Sequence, residues 1–479
     1  MNKRTKICLS SGLAVVAICG LGSTAMMTRT NSELASEQRA ARALGIPLDE
    51  SDLETPPIPA DQNAAEVYRK IGGMLAAIRK EDTERRSASD RLSGFAGSKG
   101  PGSSPEPAPK TIFDLQKQQD DSLPALGPVF EEVRKLDTRP GCDFGAFGTS
   151  PAIADLELTT SFFTLVRDLC AKADFQDRHG DWKGALQWMR YAYRAAIDHG
   201  ARPMFMSLLE QCGDRMSVNK EYGKLLARHP NNLGFLQATE TQLHGEGALP
   251  DVRRDLGGEV VFSRFSIRAL KGFAPDVPST DSDSELASDA GTSDDGSESH
   301  GDGKTTLKSS LAGFEFRIIR SKSVQQAIES NYLRAWRLAW SHFPSDRQDW
   351  QQYGRAMKLA NEYVQKDKSL LNSNTRQTFP VYLDVADSIG IEQTWDRLLL
   401  TSIALLRTRS ATGRLPVALP SSLGTTRLDP FDGNPLRYRR EGSGFILYSI
   451  GADRRDDGGH AQNFRDPDGT GSDEVVEFQ

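Results

Sequence analysis

A chain of 479 residues, 38% of them hydrophobic, has room for two to four domains at roughly 100–200 residues each. Its formal net charge of −6 argues against a general nucleic-acid-binding surface, which needs a basic face, and no Lys/Arg-rich run interleaved with aromatics restores one. Three cysteines, Cys142, Cys170 and Cys212, lie beyond the first thirty residues; they allow at most one intramolecular disulfide, which excludes a disulfide-stapled scaffold.

At the N-terminus (1–30), Lys3, Arg4 and Lys6 precede the uncharged stretch Ile7–Met27. At ~1.5 Å per residue a helix of that length spans about 31 Å, enough to cross a hydrocarbon core. The positive charge ahead of it predicts a cytoplasmic N-terminus and an exported body. Ser23-Thr24-Ala25 also offers a small-x-small signal-peptidase site. The segment is therefore either a retained single-pass anchor in a bacterial inner membrane, through residues 7–27 with the body in the periplasm, or a cleaved export signal. Lipidation at Cys19 is disfavoured, because Ile18 stands where a small residue is needed.

Residues 31–87 carry a helical pattern interrupted by Pro47 and by Pro56-Pro57-Ile58-Pro59. Val67, Ile71, Met74, Leu75 and Ile78 form a core-facing helical stripe. Residues 88–110, rich in Gly, Ser and Pro, have the composition of a solvated linker. From 111 to 274 the pattern is again helical: Phe162, Leu165, Val166, Leu169 and Cys170 follow a 3.6-residue period. Burial is the expectation for Cys170 and Cys212 on these helices.

Within that region Gly180-Asp181-Trp182-Lys183-Gly184-Ala185-Leu186 resembles the turn and second-helix start of a tetratricopeptide hairpin. Ala185 lets two helices approach and Trp182 fills the gap beside it. Repeat arrays need about three such units to bury their faces, and three are not found, so a helical-hairpin domain is expected rather than a peptide-binding solenoid. Residues 275–309 are dense in Asp, Ser and Gly and nearly free of apolar side chains; burial cannot offset their ordering entropy, which predicts a disordered spacer. Helical periodicity resumes over 310–390, where Trp336 and Trp340, four apart, share a face whose expected role is core.

The last stretch, 391–479, reads as a small α+β domain. The apolar run containing Leu398, Leu399, Ile403, Leu405 and Leu406 is a helix able to pack on a sheet, and Gly413 and Pro416 stop it. Asp429-Pro430 and Asp432-Gly433-Asn434-Pro435 are turn chemistry. Leu436–Arg440 and Gly444–Ile450 read as a hairpin, and Val475–Phe478 as a last strand. Between them lies a loop containing Asp453, Asp456, Asp457, Asp466, Asp468, Asp473 and Glu474. Calcium takes six to eight oxygen ligands, which so carboxylate-dense a loop can supply. The loop is not an EF-hand, because Asp466-Pro467-Asp468-Gly469 places Gly too early and the position-twelve Glu is missing.

The Trp395–Leu406 segment, Gly413-Arg414-Leu415-Pro416, the 428–438 turn, the hairpin and the acidic loop together resemble the globular domain of the major pseudopilin of type II secretion. With the 7–27 segment and the helical middle, the chain also resembles a group of membrane-anchored bacterial envelope proteins with such an end. The resemblance implies one calcium ion that fixes the sheet, with Asp453, Asp456, Asp457, Asp466, Asp468 and Asp473 carried over as ligands by loop position. His460-Ala461-Gln462-Asn463-Phe464-Arg465 is an insertion relative to that family. Gly12 is followed by Leu13-Ala14-Val15-Val16-Ala17, without the acid that follows a prepilin leader, so the domain looks borrowed and filament assembly is not implied.

No G-x-S-x-G, H-E-x-x-H or C-x-x-C is present, and Gly303-Lys304-Thr305 lacks a P-loop's first glycine because Glu298 stands there. The expectation is a mainly α protein with a helical-hairpin (tetratricopeptide-like) middle and a small C-terminal α+β pseudopilin-like domain. Its expected function is that of a non-catalytic membrane-anchored envelope protein, with a protein partner on the helical region, a calcium-stabilised end and no nucleic acid. Two alternatives stand beside it: an accessory component of a type II secretion or pilus-like machine, and an envelope hydrolase using His460 with Asp456 and Asp457.

Overall fold

Helical periodicity carries over into the structure, a computed structural model that describes residues 28–95, 112–144, 151–246, 251–269, 321–345, 349–460 and 473–478. In chain order the described helices are α1 (28–43), α2 (Ala65–Phe95), α3 (Ile112–Ser122), α4 (Gly127–Val133), α5 (Pro151–Arg178) and α6 (Trp182–His199). Then come α7 (Phe205–Arg228), α8 (Leu233–Glu246), α9 (Val252–Ala269), α10 (Lys322–Trp340), α11 (Trp350–Lys366), α12 (Ser373–Thr378) and α13 (Asp384–Thr412). Three strands close the chain: β1 (Arg437–Glu441), β2 (Gly444–Ser449) and β3 (Glu474–Phe478). The protein is thus mainly α with a small antiparallel sheet at its C-terminal end.

The chain divides into two units, each assembled from separate stretches: 1–52, 257–343 and 355–382 form the first, and 53–256, 344–354 and 383–479 the second. In the first, Trp336 is fully buried, with the rings of Tyr382 and Phe379 at 5.2 and 5.4 Å from its own. The same unit buries a charge. Arg264, 2% exposed, pairs with Glu329 at 2.8 Å and donates to the Leu48 carbonyl. An ion pair so deep must hydrogen-bond to offset its desolvation.

In the second unit α5 and α6 form a helical hairpin. Gly180 turns the corner at φ +86°, a conformation that Gly adopts without a Cβ penalty, and Asp181 caps α6 by accepting from the Gly184 amide at 2.9 Å. Ala185 is fully buried, and Trp182 meets Phe235 edge-on at 5.8 Å. Leu398, Leu399, Ile403, Leu405 and Leu406 of α13 are all 0% exposed, because this helix has apolar neighbours on more than one side. Gly413, at φ +73°, ends it in the left-handed region, as a C-terminal Gly does.

The sheet order is β1-β2-β3, antiparallel throughout. Arg437 pairs with Tyr448 and Glu441 with Gly444; Phe445 pairs with Phe478 and Ser449 with Glu474. Every residue of central β2 is buried. Gly442 and Ser443 alone connect β1 to β2, with Gly442 at φ +55°, so β1 runs one residue past the Arg440 expected from the sequence.

Two expectations change. Helix α2 runs to Phe95, into the stretch read as a 88–110 linker, because Ala88 to Ser93 contains neither Gly nor Pro to end it. The single-pass membrane protein is also corrected: among the described residues no helix is long and apolar enough to cross a membrane. The 7–27 segment that suggested it, the remainder of the Gly/Ser/Pro stretch and the acidic run 275–309 lie outside the described residues.

Candidate functional site

The C-terminal turn and loop are organised around one buried carboxylate. Asp429 is 0% exposed. Its Oδ1 accepts from the Phe431 amide at 2.9 Å and the Ser449 hydroxyl at 2.8 Å; its Oδ2 accepts from the Ile450 amide at 3.0 Å and Arg437 at 2.7 Å. Four donors on one carboxylate tie the 428–436 turn to the end of β2, which sets where the acidic loop begins. A side-chain–backbone turn bond is an expected use of Asp here. The link to Ser449 and Ile450 is not expressed in local sequence.

Arg437 is the cation that pairs with Asp429. It also reaches Asp432 at 2.6 Å and Asp456 at 3.6 Å. Burial opposes the charged form of Asp432, yet hydrogen bonds from Arg437 and Asn434 outweigh it and bring its pKa down to about 2. Asp456 Oδ1 accepts from the Tyr448 hydroxyl at 3.1 Å and the Gly458 amide at 3.0 Å.

The expected ligands are distributed unevenly. Asp453 is exposed and accepts from the Arg455 amide at 3.0 Å. Asp473, 2% exposed, accepts from the Gly459 amide at 2.8 Å, pinning the loop's far end to the start of β3. Its pKa is raised, first by burial and further by the charges of Asp457 and Asp456, while backbone hydrogen bonds from Gly459 and Asp457 oppose the rise. Asp456, Asp457 and Asp473 are therefore brought into mutual electrostatic reach. Asp466 and Asp468 lie outside the described residues. Among the described residues no group of three or more His, Cys, Asp or Glu side chains is arranged to hold a metal ion. His460 is exposed.

A second charged centre, unseen in sequence, joins α7 to α13. Arg215 is 0% exposed, as is Glu392, with 2.6 Å between them; Asp396 lies 3.4 Å from the same guanidinium. Arg215 also donates to the Tyr193 hydroxyl, and Asn219 to Asp396 at 2.8 Å. Burial raises the Glu392 pKa to about 7 against the pull of Arg215, with the Asp396 charge adding to the rise. Asp396 is raised for the same first reason. A Glu and an Asp four apart on one helix face just before its apolar run, Glu392 and Asp396, were the available signal.

No family model matches this chain. Neither curated proteins nor solved structures give a match.

Proposed function

We infer that this chain is a non-catalytic protein whose helical-hairpin, tetratricopeptide-like region makes contacts with a protein partner and whose C-terminal pseudopilin-like α+β module is stabilised by calcium. The observation that carries the reading is Asp473. A buried carboxylate whose proton affinity is raised by burial and by two neighbouring carboxylates is held in a state that a divalent cation relieves, and all-oxygen donors suit calcium. The Ala185 and Trp182 packing supports the hairpin assignment. The exposure of His460 supports the non-catalytic one, because acid–base work needs a shielded site.

The test is thermal unfolding of the full chain with calcium, with magnesium, and with chelator. At about ten-fold calcium over its dissociation constant the bound state gains roughly 1.4 kcal/mol. The expected result is a rise in melting temperature specific to calcium and lost in Asp456→Asn/Asp457→Asn. An equal curve in calcium and chelator would remove calcium from the proposal.

A further inference from the structure

The second unit contains a cavity of about 680 Å³ between α3, α5 and α7, within the ~300–1,000 Å³ typical of small-ligand sites. Its interior is partly apolar, with Val166 and Cys170 buried on α5, while Phe163 stands 58% exposed at its edge. The decisive residue is Glu221 on α7, which lines the cavity and is 8% exposed. Its Oε2 receives a hydrogen bond from Lys224 at 2.7 Å. Its Oε1 is buried and accepts no hydrogen bond; the Arg228 guanidinium stands 3.9 Å from it, beyond hydrogen-bond reach.

A buried carboxylate oxygen without a donor is a rare state that calls for an explanation, such as an ion or ligand that completes it. Its complement is an N–H donor, best a charged one. The neighbouring acid Asp174 is already committed, to Arg178 at 2.9 Å and to Arg228. Asp214 is engaged by His199 at 2.8 Å. Glu221 is thus where the lining has acceptor capacity to spare. Around the mouth the sign reverses: the side chains of Arg167 and Lys224 are 62% and 66% exposed. A buried acid beside exposed bases complements a dipolar molecule, its ammonium on Glu221 and its carboxylate toward the bases.

We propose that this cavity binds a free amino acid or short peptide, with its ammonium on Glu221 Oε1 and its carboxylate toward Arg167 and Lys224. The inference does not depend on calcium. The full chain is screened by isothermal titration against triglycine and each of the twenty free L-amino acids, in calcium and again in chelator. At least one probe is expected to bind with the same affinity in both buffers. Blocking its amine by acetylation, or changing Glu221→Gln, is expected to weaken binding at least ten-fold. Glu221→Gln changes a buried group, so Ser217→Trp serves as a second variant: Ser217 is exposed and lines the cavity, and an indole there blocks entry while leaving the core intact. No binding by any probe at 10 mM (a limit of roughly millimolar affinity, about 4 kcal/mol) overturns the proposal. So does binding that survives acetylation, or binding unchanged in a folded Ser217→Trp variant.

Discussion

Changing Arg215→Met removes the guanidinium on which the α7–α13 centre depends. The side chain is fully buried, 2.6 Å from Glu392 and 3.4 Å from Asp396, so methionine fills most of the volume but leaves the fully buried Glu392 and the half-buried Asp396 without their cation. Breaking a buried pair in this way costs about 3–5 kcal/mol. At about 2–4 °C per kcal/mol for a large domain, the melting temperature should fall by about 6–20 °C. The loss should depend on pH. The Glu392 pKa is raised from 4.5 to about 7, so the stability this group lends is full below about pH 4.5 and is lost as pH rises to about 7. Near pH 5.5 Glu392 is already protonated in the parent protein and misses Arg215 least. At pH 8 the parent protein holds it ionised against Arg215, and the variant cannot. Urea denaturation followed by circular dichroism at pH 5.5 and pH 8 measures both, and Arg215→Met/Glu392→Gln should recover part of the loss at pH 8. A loss under about 1 kcal/mol at pH 8, on the scale of an exposed pair, would refute the assignment. An equal loss at the two pH values would refute the protonation argument.

Asp429→Ala leaves the Ser449 hydroxyl and two amides without this acceptor and takes from Arg437 one of its carboxylate partners, and about 2–4 kcal/mol of stability should go with it, read from the urea midpoint of the full chain. Trp336→Ala empties a fully buried site between Phe379 and Tyr382. A loss of about 3–5 kcal/mol is expected, and a change below 1 kcal/mol would show that the first unit does not depend on this ring.

What could be read from the sequence was local. The end of α13 at Gly413, the β1–β2 hairpin and the burial of Trp336 each follow from periodicity or turn chemistry within a dozen residues. The Glu392–Arg215–Asp396 centre does not, because Asp396 lies 181 positions from Arg215 and nothing in either neighbourhood marks the other. The same holds for Arg264 and the Leu48 carbonyl, 216 positions apart. Composition alone also misplaced the end of α2, where helix-compatible residues precede the first Gly of the linker.

The acidic loop shows how long-range geometry changes a local reading. By composition its aspartates form one ligand set. In the structure Arg437 draws Asp456 of the loop, along with Asp429 and Asp432 of the 428–436 turn, toward a cation that the chain itself supplies. A guanidinium there competes with calcium for Asp456, since both draw on the same carboxylate. Asp473 is different: its shift is set by burial and by Asp457 and Asp456. Calcium dependence should therefore concentrate on the Asp457–Asp473 side of the loop. Asp457→Asn alone should abolish most of the calcium-specific rise in melting temperature. Asp432→Asn should lower stability equally in calcium and chelator, because it weakens Arg437 rather than a metal ligand. The reverse pattern, with Asp432→Asn removing the calcium response and Asp457→Asn sparing it, would move the ion to the Arg437 side and overturn this division.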